Sequence, residues 1–177
     1  MTRHPFSTAV GRNATASGTE TTGVGRAIIA SGHCSTAVGY YSCATGVDSA
    51  AFGRNSCATA VQTTAVGYYS CATGNRATGV GHCSRANAHY TTAVGYKSCT
   101  SAENASAIGH YSEATGVGST AIGFYAVATA ACALVLGGCC VGIGTSAPNS
   151  DSLVHIKKAT VFSQLRIETD DTSNNLG

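Results

Sequence analysis

Along most of the chain the hydrophobic and polar positions repeat with a period of fourteen residues. The anchor is a glycine that recurs in one register at Gly11, Gly25, Gly39, Gly53, Gly67, Gly81, Gly95, Gly109, Gly123 and Gly137. Immediately before it stands an apolar column: Val10, Val24, Val38, Phe52, Val66, Val80, Val94, Ile108, Ile122 and Leu136. One place earlier the residue is small, as in Ala37, Ala65 and Ala93, and a second small column follows five places after the anchor, as in Ala44, Ala58 and Ala72. Seven places after the anchor the residue is mostly glycine, as at Gly18, Gly32, Gly46, Gly74 and Gly116. Self-similarity at a fixed short period predicts a solenoid. Each repeat reads as a short strand (Thr-Ala-Val), a turn at the glycine, a second short strand of about four residues (Ser-x-Ala-Thr) and a turn back, with β-branched residues in strands and glycine at corners.

Successive coils of such a solenoid stack at about 4.8 Å, so ten of them predict a rod roughly 45 Å long. Neighbouring residues in a strand point to opposite faces. The small column and the Val/Ile column are adjacent and neither is polar. If one fills the coil, the other faces outward and needs cover, which self-association about an axis supplies.

Composition sharpens this picture. The chain has 177 residues, no Trp and four Phe, while small residues dominate, so a thin, tightly wound object is expected rather than a globule. Charged residues make up 10% and the formal net charge is +2, which argues against a basic nucleic-acid surface and against disorder driven by charge. Residues 1–6 contain no apolar run of signal-peptide length, and no segment reaches the roughly 18 uninterrupted apolar residues of a membrane span.

The words STAVGYYSCATG (35–46), SAAFGRNSCATA (49–60) and ASAIGHYSEATG (105–116) resemble the head repeats of trimeric autotransporter adhesins. That resemblance implies a left-handed parallel β-roll packed as a homotrimer, covering about residues 7–141. Phage and large-virus fibre proteins use the same repeat. The segment VGIGTSAPNSDSLVHI (141–156) is similar to a connector common in tail fibres, and neither a coiled-coil stalk nor a membrane barrel is legible. The expected organisation is a lead-in over 1–6, a β-roll over 7–144, a connector over 145–168 and a mobile tail over 169–177. Within the connector, Pro148-Asn149-Ser150 reads as a turn, and Leu153–Ile156 and Val161–Ile167 as strands.

Candidate chemistry is sparse. Cys43, Cys57 and Cys71 share one column in consecutive coils, within disulfide reach, but three thiols make only one pair and Cys99 lies two coils beyond Cys71. Small semi-buried filler is the expected role of the cysteines, with disulfides as the alternative, mainly near Cys132, Cys139 and Cys140. No CxxC or Cys/His spacing of zinc type occurs, so no metal and no cofactor are expected. The acidic residues are isolated along the chain and no catalytic set of Ser/His/Asp type emerges, so the expectation is a protein that is not an enzyme.

One surface feature stands out. The two residues after each anchor stack into a stripe of aromatic and cationic groups, with Arg54 placed between Tyr40 and Tyr68 for a cation–π stack. Tyr40, Tyr41, Arg54, Tyr68, Tyr69, Tyr96, His110 and Tyr111 are the candidate receptor-binding residues, the alternative being that they merely cover the turns. Val10, Val24, Val38, Phe52, Val66, Val80, Val94, Ile108 and Ile122 are the candidate core or trimer column. The expected function is a trimeric rod of a virus or phage fibre that attaches to a host surface protein or glycan, alongside other fibre or virion proteins and without inserting into a membrane. The head of a cellular adhesin, a structural spacer and a depolymerase tailspike are the alternatives.

Overall fold

The computed structural model describes residues 6–138, 141–143 and 154–156, and the chain divides into two compact units, Met1–Gly138 and Cys139–Gly177. The first unit is a parallel β-solenoid. Its first strands, such as Thr64–Val66, form one ten-stranded sheet in chain order, and its second strands, such as Cys71–Ala72, form a nine-stranded sheet. Coils pair at an offset of fourteen, so that Thr64 faces Thr78, Ala65 faces Gly79 and Val66 faces Val80. The second strands are shorter than the four residues expected. The residue before each one, mostly serine, and the residue after it, often threonine, turn the chain at the corners, although their backbones still bond to the adjacent coil: Cys57 N–H donates to Ser70 O at 2.8 Å and Thr73 N–H to Ala86 O at 2.9 Å.

The interior answers which of the two adjacent apolar columns fills the coil. Ala37, Ala51, Ala65, Ala93, Ala107 and Ala121 are wholly buried, as are Ala44, Ala58 and Ala72 from the opposite strand. The Val/Ile column points outward instead. Val38, Val66, Val80 and Val94 are half-buried, while Val10, Val24, Phe52, Ile108 and Ile122 are exposed. Two strands facing each other across one coil leave room only for methyl and hydroxymethyl groups, so Ala and Ser win over Val.

Several buried hydroxyls are accommodated by ladders, while those of Ser35 and Ser49 are buried without a partner. Ser42 Oγ donates to Ala51 O at 2.8 Å and lies 3.1 Å from Ser56 Oγ; Ser70 Oγ repeats this with Gly79 O at 2.7 Å and Ser84 Oγ at 3.0 Å. The one large buried side chain in this row, Ile28, stands where other coils have Ser or Ala, and it faces Gly23. A Cβ at Gly23 would run into Ile28 Cδ1, so the larger residue and the missing methyl compensate within one coil.

The anchor glycine is required by the backbone. Gly67 has φ 125° and Gly95 φ 134°, and a Cβ on either would strike the carbonyl oxygen of the next anchor glycine. The last residue of each turn is left-handed in both corners, as in Tyr69 (φ 52°) and Arg76 (φ 58°).

In the second unit, Val141–Ile143 pairs in parallel with Val154–Ile156. The expected turn at Pro148-Asn149-Ser150, the strand at Val161–Ile167, Cys139, Cys140 and the tail over 169–177 lie outside the described residues. No helix among the described residues is long and apolar enough to cross a membrane.

Candidate functional site

Each coil's first corner projects two side chains, and stacking at the strand spacing turns them into two rows along one edge of the solenoid. In the inner row the contacts run without a break from Arg26 to Phe124. Arg26 lies over Tyr40 at 5.3 Å, and Arg54 sits between Tyr40 and Tyr68 at 5.5 Å from each ring. From there rings follow one another: Tyr68–His82 at 4.9 Å, His82–Tyr96 at 5.0 Å, Tyr96–His110 at 4.9 Å and His110–Phe124 at 5.2 Å. These separations match the strand spacing of about 4.8 Å, because the sheet itself sets the pitch of the stack.

The outer row comes from the left-handed residue of the turn. Tyr41 and Tyr69 meet Tyr40 and Tyr68 edge-on at 4.5 and 4.6 Å, and Tyr111 stacks flat on Tyr125 at 5.0 Å. Bulky residues rarely take positive φ, at a cost of about 1–2 kcal/mol each. Here the turn holds them there because Tyr69 N–H donates to Arg54 O at 2.9 Å and Tyr111 N–H to Tyr96 O at 2.9 Å. Lys97 Nζ donates to Tyr111 Oη at 3.1 Å and lies over the Tyr96 and Tyr111 rings at 5.5 and 5.1 Å. That bond holds the Lys97 ammonium above its ordinary value and the Tyr111 phenol below its own. Beside it a cavity of about 340 Å³ is lined by Cys83, Arg85, Lys97, Ser98, Cys99 and Tyr111, where two cations and a phenol face one space suited to an anionic group.

All eight residues singled out as receptor-binding candidates therefore lie on one edge, and contact extends the edge to Arg26, His82, Phe124 and Tyr125. What sets it apart is exposure combined with order. Tyr41, Tyr69 and Tyr125 are about half exposed or more, yet each is held against a neighbouring ring.

The thiol column behaves as its register dictates. Cys43, Cys57 and Cys71 are Cα partners in consecutive coils, whereas Arg85 separates Cys71 from Cys99. Hydrogen bonding to Cys57 lowers the Cys43 and Cys71 thiols to about 7, and the same two bonds push the Cys57 thiol up. Cys57 has one proton to donate, so it supports one neighbouring thiolate at a time. Burial, and then Glu113, push the Cys99 thiol up. All seven cysteines among the described residues are free thiols.

The opposite edge, formed by the second corners, was not singled out by sequence spacing. There Arg76 Nε donates to Gln62 Oε1 at 2.9 Å and its Nη1 to Tyr90 Oη at 2.8 Å. Nearer the start of the solenoid, Glu20, His33 and Cys34 converge. The Cys34 thiol is held above its ordinary value by desolvation and then by the Glu20 carboxylate, with the Asp48 charge adding to both. The signal was present in the sequence as an offset of fourteen between Glu20 and Cys34, but it belongs to the coil register and not to a motif along the chain.

Comparison with known proteins agrees with this architecture. The crystal structure of the collagen-binding domain of the Yersinia adhesin YadA superposes with a TM-score of 0.52 at 23% identity, over 94% of this chain and 75% of that one. No curated protein sequence matches. The model of the YadA head domain repeat matches residues 6–25, 44–70, 72–98 and 101–130, more than half of the chain. By the repeat that fixes its glycines, its alanine interior and its outward valines, this chain belongs to the YadA head domain repeat family.

Proposed function

We propose that the protein is the adhesive head of a trimeric surface fibre, and that the aromatic–cationic edge from Arg26 to Phe124 is its recognition surface. The observation that carries this is an exposed, unbroken ladder of rings and guanidinium groups on a solenoid whose interior needs none of them. Tyr, Arg and His in ordered exposed rows suit flat sugar faces and protein surfaces. The outward Val/Ile column supplies an apolar face for two further copies, and threefold symmetry would present three such edges, so weak contacts sum to useful avidity. The carriers that fit are a fibre of a virus or phage, favoured by the VGIGT segment after the coils, and a cellular surface adhesin, favoured by the family. In both the protein works outside a cell and performs no chemistry on its ligand. The YadA domain is named for binding collagen, which makes collagen one ligand to test beside anionic glycans, for which the Arg85–Lys97 cavity is suited.

The test is binding to host cells, collagen and a glycan array by wild type and by the triple variant Tyr40→Ser, Arg54→Ser, Tyr68→Ser, with assembly checked by sedimentation. The triple variant is expected to assemble normally and lose binding. A matching triple change on the opposite edge, Val47→Ser, Val61→Ser, Gln62→Ser, is expected to bind as wild type. Undiminished binding by the first variant would place recognition elsewhere.

A further inference from the structure

We propose that Glu20, His33 and Cys34 form a site for a zinc-type divalent ion on the second-corner edge, independent of the recognition edge. Glu20 and Cys34 are the left-handed last residues of consecutive second corners, with φ 58° and 54°, so the coil register places one above the other. Cys34 Sγ lies 3.4 Å from Glu20 Oε2, and 3.3 and 3.9 Å from His33 Nδ1 and Nε2. One ligand atom from each residue falls within 4.8 Å of the other two. An ion with bonds of about 2.0–2.3 Å in tetrahedral geometry spaces its ligands about 3.3–3.6 Å apart, so the three atoms need only small side-chain rotations.

The second shell is also in place. His33 Nδ1 lies 3.2 Å from Thr19 O. With its proton on Nδ1 the imidazole donates to that carbonyl and keeps the Nε2 lone pair for an ion, an arrangement that fixes tautomer and ring orientation in metal sites. The turn backbone is fixed by the same coil pairing, since Cys34 N–H donates to Thr19 O at 3.0 Å.

The donor set selects the ion. One thiolate, one imidazole and one carboxylate suit a borderline ion such as Zn²⁺, whereas Ca²⁺ and Mg²⁺ require mostly oxygen ligands in larger number. Binding exchanges the thiol proton for the ion: Cys34–SH and Zn²⁺ give Cys34–S–Zn and a released proton. Three protein ligands on an exposed turn leave a fourth position for water, and Asp48 stands one coil further along the same column. The ion would tie the second corner of the Gly11 coil to that of the Gly25 coil, adding a cross-link to the backbone pairing and to the Cys34–Glu20 and His33–Thr19 contacts.

The experiment is a Co²⁺ titration of the reduced full chain, followed by the thiolate-to-cobalt charge-transfer band and by displacement with Zn²⁺. Wild type is expected to bind one Co²⁺ through this site and to melt higher with Zn²⁺. Cys34→Ser is expected to lose the band and the shift in melting, and Glu20→Gln and His33→Gln to weaken binding about 10-fold or more. Cys71→Ser, in the other thiol row, should titrate as wild type, and circular dichroism checks that every variant is folded. A wild type without the band would overturn the proposal. So would a band that persists in Cys34→Ser or disappears in Cys71→Ser, which would place the ion on the Cys43–Cys57–Cys71 row.

Discussion

The two corners of each coil end in the same backbone conformation and carry different side chains. Both end in a left-handed residue whose N–H bonds back to the preceding coil, as Tyr69 does to Arg54 and Arg76 to Val61. The first corner presents Arg26, Tyr40, Arg54, Tyr68, His82 and Tyr96 in one stacked row. The second presents Glu20, Cys34, Asp48 and Gln62, and a separate Arg76–Tyr90 contact at 5.3 Å. The left-handed ends therefore do not distinguish the edges; their side chains do. The turns are free to vary in chemistry, while the strands are committed to closing the coil.

The corners also differ in what they tolerate, and this gives the largest expected effect. The first corner has glycine at positive φ in every coil from Gly11 to Gly123. The second accepts alanine at Ala60, Ala88, Ala102 and Ala130, alternating with Gly32, Gly46, Gly74 and Gly116 whose φ is ordinary. Gly67→Ala should therefore cost about 3 kcal/mol or more, from backbone strain and collision with Gly81 O. Gly74→Ala keeps an ordinary φ but brings its Cβ against the Ala88 carbonyl, so that corner must shift too, and its loss should be smaller than at Gly67 by the φ strain alone, about 1–2 kcal/mol. Thermal melts of the two variants decide it; equal losses would mean that crowding and not φ sets the glycine rule.

Next in size is a comparison of two valines, half-buried Val66 and exposed Val61. Val66 belongs to the outward column and Val61 to the second corner. If the column is the trimer face, Val66→Asp places three related charges in an apolar interface, weakening assembly by at least about 3 kcal/mol. Val61→Asp leaves the oligomer intact. Sedimentation of both variants tests the assignment, and an unchanged Val66→Asp oligomer would remove this column from the interface.

A smaller effect separates two positions of one column. Cys71 is lowered to about 7 by Cys57 and Cys99 is raised, although both are half-buried. Near neutral pH, iodoacetamide should label Cys71 about tenfold faster than Cys99, with the Cys71 rate rising through about pH 7 as its thiolate forms. Cys57→Ser removes the donor and should slow Cys71. Peptide mass mapping reads both.

The smallest effect tests the left-handed corner alone. Ala27, at φ 53°, has no side-chain amide to offset the strain. Ala27→Gly should stabilise the chain by about 0.5–1 kcal/mol, seen as a small rise in melting temperature.

Much of this fold is legible in the sequence because the period makes each column a repeated experiment. Ten glycines in register locate the first corner, and the Ala-Val alternation says that one residue points in and its neighbour out. Which of the two points in is a matter of coil width, visible only when two strands face each other across a space that admits Ala65 but not Val66. The Gly23–Ile28 exchange is likewise cryptic, since it links two residues of one coil across its interior. The thiol row and the aromatic row follow from the fourteen-residue offset. The Glu20–His33–Cys34 cluster follows from the same offset, yet it escapes a search for ligands spaced along a helix or a loop. In a solenoid the relevant neighbours are one coil away, and spacing has to be read modulo the coil.

That modular register has a genetic consequence. Each coil bonds to the next through the same carbonyls and N–H groups, from Gly67 N–H on Phe52 O to Gly81 N–H on Val66 O. Removing or duplicating fourteen codons leaves every glycine over a glycine and every alanine inside. Losing one codon leaves one coil a residue short, so that inward and outward positions exchange within it and its pairing with its neighbours breaks. Unequal recombination between such repeats can therefore lengthen or shorten the head by whole coils without refolding it, and each duplicated coil carries its own pair of edge residues. The gene can copy Tyr-Tyr or Arg-Asn corners as units, tuning the number of contacts an edge offers while the scaffold beneath it stays the same.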